Sequence, residues 1–225
     1  MSYEAICTKI AGHGAGVYNF GQSSFLLLVG DNRDGICRGV STAWLIAKKK
    51  GNDYLKEIVD PTLKTGLLHE QHTARQASDF QSDYVDISGD TPESPSPATL
   101  TALRTGGVGT LASHKAEAFQ SFAAAGKSIG EVVLTSSCRY FILSIKGTLG
   151  GHSVAFFRPW AFFGKSSSCF FFDPNFGEFS LEGSEGVALC MTAVAAAYGQ
   201  GLSKGYRIRV SADAKGATSV SMHRL

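Results

Sequence analysis

The sequence predicts an α+β fold, and three observations carry that prediction. Ile36, Val40, Ala43, Trp44 and Ala47 fall at i, i+4, i+7, i+8 and i+11, one face of a helix at a 3.6-residue period. Tyr206-Arg207-Ile208-Arg209-Val210 alternates strictly, the period of a strand with one covered face. The helical patterns concentrate before residue 129 and the strand patterns after it. Segregated elements of this kind build an antiparallel sheet with helices packed on it.

Taken in order, residues 1–30 are an N-terminal segment of short apolar pieces broken by Gly12, Gly14, Gly16, Gly21 and Gly30. The helix at Ile36–Lys50 follows. Asp31, Asn32 and Asp34 offer capping groups at its start, Lys48–Lys50 suit the negative end of its dipole, and Gly51 suits the position just past its end. Residues 53–84 and 98–126 read as further helices, with Leu111, Ala118, Phe119 and Phe122 sharing a face. Between them, residues 79–97 hold five acidic residues, three prolines and no Lys or Arg, the make-up of a surface loop. Strands are expected at Glu131–Thr135, Tyr140–Lys146, His152–Arg158, Cys169–Asp173 and Tyr206–Ser211. Gly147–Gly151 turns one hairpin, and a last helix covers Glu185–Tyr198. In that helix Val187, Cys190, Met191, Val194, Ala195 and Tyr198 share a face.

Composition narrows the function classes. The chain has 225 residues, 44% of them hydrophobic and 18% charged, so it can bury a core without staples. The expectation is one domain over residues 1–225. A net charge of +2 implies no nucleic-acid face. The longest apolar runs, Phe25–Val29 and Cys169–Phe172, are far shorter than the ~20 residues of a membrane span. Met1-Ser2-Tyr3-Glu4 lacks the features of a Sec signal peptide, and Ser2 replaces the glycine that N-myristoylation needs. Five cysteines without a CxxC pair argue against a disulfide framework or structural zinc. His69 and His72 lack a third ligand at metal spacing, and Gly12–Gly16 lacks the lysine of a phosphate loop. Cys7, Cys138, Cys169 and Cys190 sit in apolar surroundings and read as packing residues.

Cys37 differs from these. It lies near the start of a helix, where free N–H groups and the positive dipole end stabilise a thiolate. Gly35 and Gly39 flank it, although each costs ~1 kcal/mol in a helix interior. Taken alone, such a cysteine is more often a buried packing residue. A nucleophile also needs a base and a group that orients the base. His152 opens one strand and Asp173 ends another, and adjacent antiparallel strands bring such residues together. Asp173 before Pro174-Asn175 is equally a turn initiator, and His152 at a strand edge equally a surface residue.

Three motifs bring these residues under one reading. They are Gly35-Ile36-Cys37-Arg38-Gly39-Val40 with Trp44-Leu45 after three more residues, Gly151-His152-Ser153-Val154-Ala155, and Phe172-Asp173-Pro174-Asn175-Phe176-Gly177-Glu178-Phe179. In content and order they resemble the signatures of the YopT/AvrPphB cysteine proteases, peptidase family C58, which bacteria inject into host cells by type III secretion. The resemblance runs from about Asp31 to Phe179. It implies a papain-like fold, with the nucleophile on a central helix packed against an antiparallel sheet. It also implies Cys37 as nucleophile, His152 as general base and Asp173 as the residue that orients the imidazole. Asn32, five residues before Cys37, matches the family's side-chain amide of the oxyanion hole, completed by the Cys37 N–H. One such donor contributes ~3 kcal/mol.

The expected function is therefore a thiol endopeptidase that cleaves a host protein, delivered to the host cytoplasm without a Sec signal. The chemistry calls for no metal and no cofactor. No lipidation site is evident before Cys37, which leaves membrane association open. Two alternatives stand beside it: a deamidase or transglutaminase using the same triad, and a catalytically silent effector that binds a host protein. The stretch Pro159–Ser168 is expected to form a long hairpin, with Trp160, Phe162 and Phe163 as a substrate wall or binding surface.

Overall fold

The structure is a computed structural model that describes residues 2–21, 37–53, 103–108, 111–118, 122–146, 151–161, 164–198 and 205–211. The elements in chain order are α1 (Tyr3–Ile10), β1 (Gly14–Tyr18), α2 (Cys37–Lys50), β2 (Leu111–Ala118), α3 (Phe122–Thr135), β3 (Tyr140–Lys146), β4 (Gly151–Phe157), β5 (Trp160–Ala161), β6 (Gly164–Lys165), β7 (Ser168–Asp173), β8 (Gly177–Glu182), α4 (Gly183–Tyr198) and β9 (Gly205–Ser211). Among the described residues, seven strands form one sheet in the order β1-β8-β7-β4-β3-β9-β2, and β5 and β6 pair separately. Every pairing in the large sheet is antiparallel.

Both faces of the sheet are covered, so its central strands read as long apolar runs. Phe141, Leu143, Ile145, Val154, Phe156, Cys169, Phe171, Phe179 and Leu181 face α1, α3 and α4. Tyr140, Ile142, Ala155, Phe157 and Phe172 face Val40, Trp44 and Leu45 of α2. The period-2 alternation thus separates two cores across one sheet.

The helix that carries Cys37 ends as its sequence predicts. The Asn52 N–H bonds to the Ala47 carbonyl at 2.9 Å and the Gly51 N–H to Lys48 at 3.3 Å, with Gly51 at φ 76°. That is the Schellman arrangement, in which glycine takes a left-handed position without a Cβ penalty. On the other face, α3 crosses α4 closely because Gly126 has no side chain. A Cβ there would stand 2.7 Å from the Ala188 Cα.

Two expectations need correction, and one segment gains elements the sequence did not assign. Glu131–Thr135 is the last turn of α3, not a strand. Its β-branched residues favour a strand locally, but Ile129 and Val133, four apart, are both fully buried in the core shared with α4. The helix expected over 98–126 is interrupted by β2. Leu111–Ala118 pairs with β9 from Leu111↔Ser211 to Ala118↔Gly205, so sheet pairing overrides the helical spacing read there. The glycine-broken N-terminal segment contributes a helix and an edge strand, α1 and β1. Ser2 caps α1 by accepting the Ala5 N–H at 3.2 Å, and β1 and β8 are strands that the sequence reading did not assign. Residues 54–84 and the acidic loop at 79–97 lie outside the described residues.

Candidate active site

Cys37 is carried by α2. Three contacts fix this helix against the sheet. The Trp44 indole N–H donates to Glu178 Oε2 at 2.7 Å, Lys48 Nζ meets Glu178 Oε1 at 2.6 Å, and the Ser41 hydroxyl donates to the Ser153 carbonyl at 3.1 Å. Trp44 also stacks on Phe172 with ring centroids 5.3 Å apart.

His152 lies near the start of β4, and Asp173 ends β7. These strands pair antiparallel, with Ala155 opposite Phe172, and both site residues share the sheet face of Val154 and Phe171. Their side chains meet with His152 Nε2 3.1 Å from Asp173 Oδ1, and Asp173 is fully buried. Cys37 hydrogen-bonds to His152 and accepts the Ser153 N–H. Nε2 faces Asp173, so Nδ1 is the ring nitrogen available to the thiol. The structure therefore brings Cys37, His152 and Asp173 together from α2, β4 and β7.

The electrostatics follow from these contacts. Burial lowers the His152 pKa, but the Asp173 charge and the bonds to Asp173 and Cys37 outweigh it and push the group up to about 10. Burial raises the Cys37 thiol, yet the His152 bond and charge, the Ser153 N–H and the Arg38 charge together hold it below its ordinary value. A low thiol beside a high imidazole is the condition for a thiolate–imidazolium pair. Two buried thiols on the other face of the sheet from α2 go the opposite way. Burial pushes Cys169 up to about 12 and Cys190 well above the usual range.

One participant was not recognised in the sequence. The Tyr198 hydroxyl, at the end of α4, donates to Asp173, 2.8 Å from Oδ1 and 3.0 Å from Oδ2. It accepts from Asn175 Nδ2 at 2.9 Å and lies 2.9 Å from His152 Nε2. The signal was a phenol closing a helix face otherwise made of Val, Cys, Met and Ala. Six of the eight residues from Phe172 to Phe179 have a role around the site. Phe172 stacks on Trp44, and Asp173 holds His152. The Asn175 N–H bonds to Asp173 Oδ1 at 2.8 Å, and Phe176 meets the Tyr198 ring edge-on. Gly177 turns at φ 104°, and Glu178 anchors α2.

The remaining expected site residues divide. Asn32, Phe162 and Phe163 lie outside the described residues. Trp160 is described, is 75% exposed, and has the Arg139 guanidinium 5.0 Å from its ring centre. It follows the far end of β4 from His152. The five residue steps from His152 to Phe157 alone span ~17 Å of strand. Trp160 thus stands toward the end of β4 opposite His152, and the expected long hairpin is a pair of two-residue strands. Among the described residues no three His, Cys, Asp or Glu side chains gather as a metal centre.

Comparison with known proteins places this geometry. The chain is similar in structure to the Pseudomonas avirulence protein AvrPphB, with a TM-score of 0.53, 19% identity, and coverage of 80% of this chain and 94% of that one. It is also similar to PatoxP, a cysteine protease-like domain of the Photorhabdus asymbiotica toxin PaTox, with a TM-score of 0.52 and 8% identity. That match covers 93% of this chain and 57% of the other. Both likenesses carry the fold, which is papain-like. No curated protein sequence matches the chain. The family model described as Yersinia/Haemophilus virulence surface antigen, Peptidase C58, matches residues 11–204, and the chain belongs to that family.

Proposed function

We propose that the chain is a cysteine endopeptidase that acts on a protein of a host cell after delivery into it. The observation that carries this reading is the hydrogen-bonded series Cys37–His152–Asp173, assembled from three elements. Cys37 Sγ attacks the scissile carbonyl carbon, and the carbonyl electrons move onto oxygen. The imidazolium of His152 gives its proton to the leaving amine as the C–N bond breaks, leaving a thioester on Cys37. Water then adds to the thioester with His152 taking its proton, and the C–S bond breaks to expel the Cys37 thiolate, which restores the thiolate–imidazolium pair. Asp173 holds the ring and stabilises its charged form. The oxyanion falls to the Cys37 N–H and to the Asn32 amide, the pair implied by family resemblance.

The test compares wild type with Cys37→Ala in a host-cell lysate, reading new protein N-termini. Wild-type-dependent N-termini support the proposal. If treated proteins instead gain about one dalton at glutamine or become crosslinked, the same thioester serves deamidation or transglutamination. If neither variant alters any protein, the chain acts by binding alone.

A further inference from the structure

Tyr198 makes more contacts within the triad than any packing role needs, and its proton inventory is closed. A phenol has one proton and two lone pairs. Burial and the Asp173 charge raise its pKa far above neutrality, so the group stays protonated. That proton goes to the Asp173 carboxylate. One lone pair accepts the Asn175 amide. The other faces His152 Nε2 at 2.9 Å, closer than Asp173 Oδ1 at 3.1 Å.

We propose that Tyr198 is a positioning residue for the catalytic pair, serving as a second acceptor for the His152 Nε2–H while its own proton holds the Asp173 carboxylate in place. The inference rests on the cysteine-peptidase reading above. The Nε2–H is thereby shared between a carboxylate and a hydroxyl, which fixes the ring plane and leaves Nδ1 aimed at the thiol. Two opposing effects attend the hydroxyl. Its donation to Asp173 draws negative charge away from the imidazolium, but its oxygen accepts from the imidazolium directly. A direct bond to a charged group outweighs an indirect one, so the net effect favours the charged ring. Among the described residues, the other titratable groups facing this point are Cys37 from α2 and, behind Asp173, Cys190 from α4 itself.

The experiment uses iodoacetamide, which needs no knowledge of the substrate. Cys37 alkylation is followed by peptide mass spectrometry from acid to alkaline pH. A thiolate–imidazolium pair gives two steps, one as the thiolate forms and one as His152 loses its proton. In Tyr198→Phe the upper step falls by about one pH unit. Phe176→Leu removes the ring contact but keeps the hydroxyl, and its upper step stays at the wild-type position. Site-specific 3-fluorotyrosine at 198 keeps the shape while weakening the oxygen as an acceptor. It gives a smaller downward shift and needs no change in fold.

An unmoved or raised upper step in Tyr198→Phe, with the wild type showing two, overturns the inference and leaves the peptidase reading standing. An equal fall in Phe176→Leu, or no fall with fluorotyrosine, also overturns it, since the effect is then packing. If wild type shows one step in the ordinary thiol range, the peptidase reading falls, and the inference with it.

Discussion

Glu178 accepts the Trp44 indole N–H at 2.7 Å, with its carboxylate only 1% exposed. This bond ties the helix that carries Cys37 to the strand that follows the Asp173 turn. Lys48 completes it as a nearly buried ion pair on the other carboxylate oxygen. Breaking a buried pair from one side strands the remaining charge. Glu178→Gln keeps the shape and the bond to Trp44 but leaves Lys48 unpaired. The expected loss is ~3 kcal/mol, read as a lower urea midpoint with an unchanged slope.

Asp173→Asn removes the anion that raises His152. In the proposed mechanism activity needs the Cys37 thiolate and the His152 imidazolium together, so the alkaline limb marks loss of the imidazolium proton. In wild type that proton leaves at about 10. Without the Asp173 charge the limb moves to lower pH, toward the ordinary histidine value of ~6.5, and the rate falls by ~10²-fold or more. A pH–rate profile of the two proteins on one substrate reads both effects.

Gly177 sits at φ 104°, and a Cβ there would press on the Tyr18 carbonyl and stand 2.8 Å from the Phe20 nitrogen. Gly177→Ala therefore carries left-handed strain of ~1–2 kcal/mol and a clash of similar size. The expected loss is ~3 kcal/mol, measured by urea unfolding.

Gly126→Ala sets two effects against each other. Helix propensity gains ~1 kcal/mol, while the new methyl meets α4 backbone at Ala188. Backbone does not yield as a side-chain tip does, and overpacking costs ~1–3 kcal/mol. The clash prevails, and the melting temperature falls. A rise would show that α3 and α4 separate more easily than their packing indicates.

Much of the central sheet was legible because its strands alternate or run apolar between glycines, as Tyr140–Lys146 and Cys169–Asp173 do. The order and spacing of Cys37, His152 and Asp173 were legible through motifs. What sequence periodicity hid was decided by partners distant in the chain. Val132 and Val133 favour a strand until α4 buries Val133 on a helix. Leu111–Ala118 reads as helix until β9 pairs with it. Tyr198 read as one more core residue, because nothing local reveals that α4 ends beside Asp173. Strand direction, which aromaticity does not reveal, sets Trp160 at the end of β4 opposite His152.

The central claim is that Cys37 is held as a thiolate by His152. Competitive iodoacetamide labelling of the folded protein near pH 6 tests it most directly. At that pH an ordinary thiol is almost wholly protonated, while a thiolate–imidazolium pair is already formed. Cys37 is expected to react at least about tenfold faster than Cys7, Cys138, Cys169 or Cys190, and His152→Ala to abolish the difference. Labelling of Cys37 no faster than Cys7, or a preference that survives His152→Ala, would contradict the account.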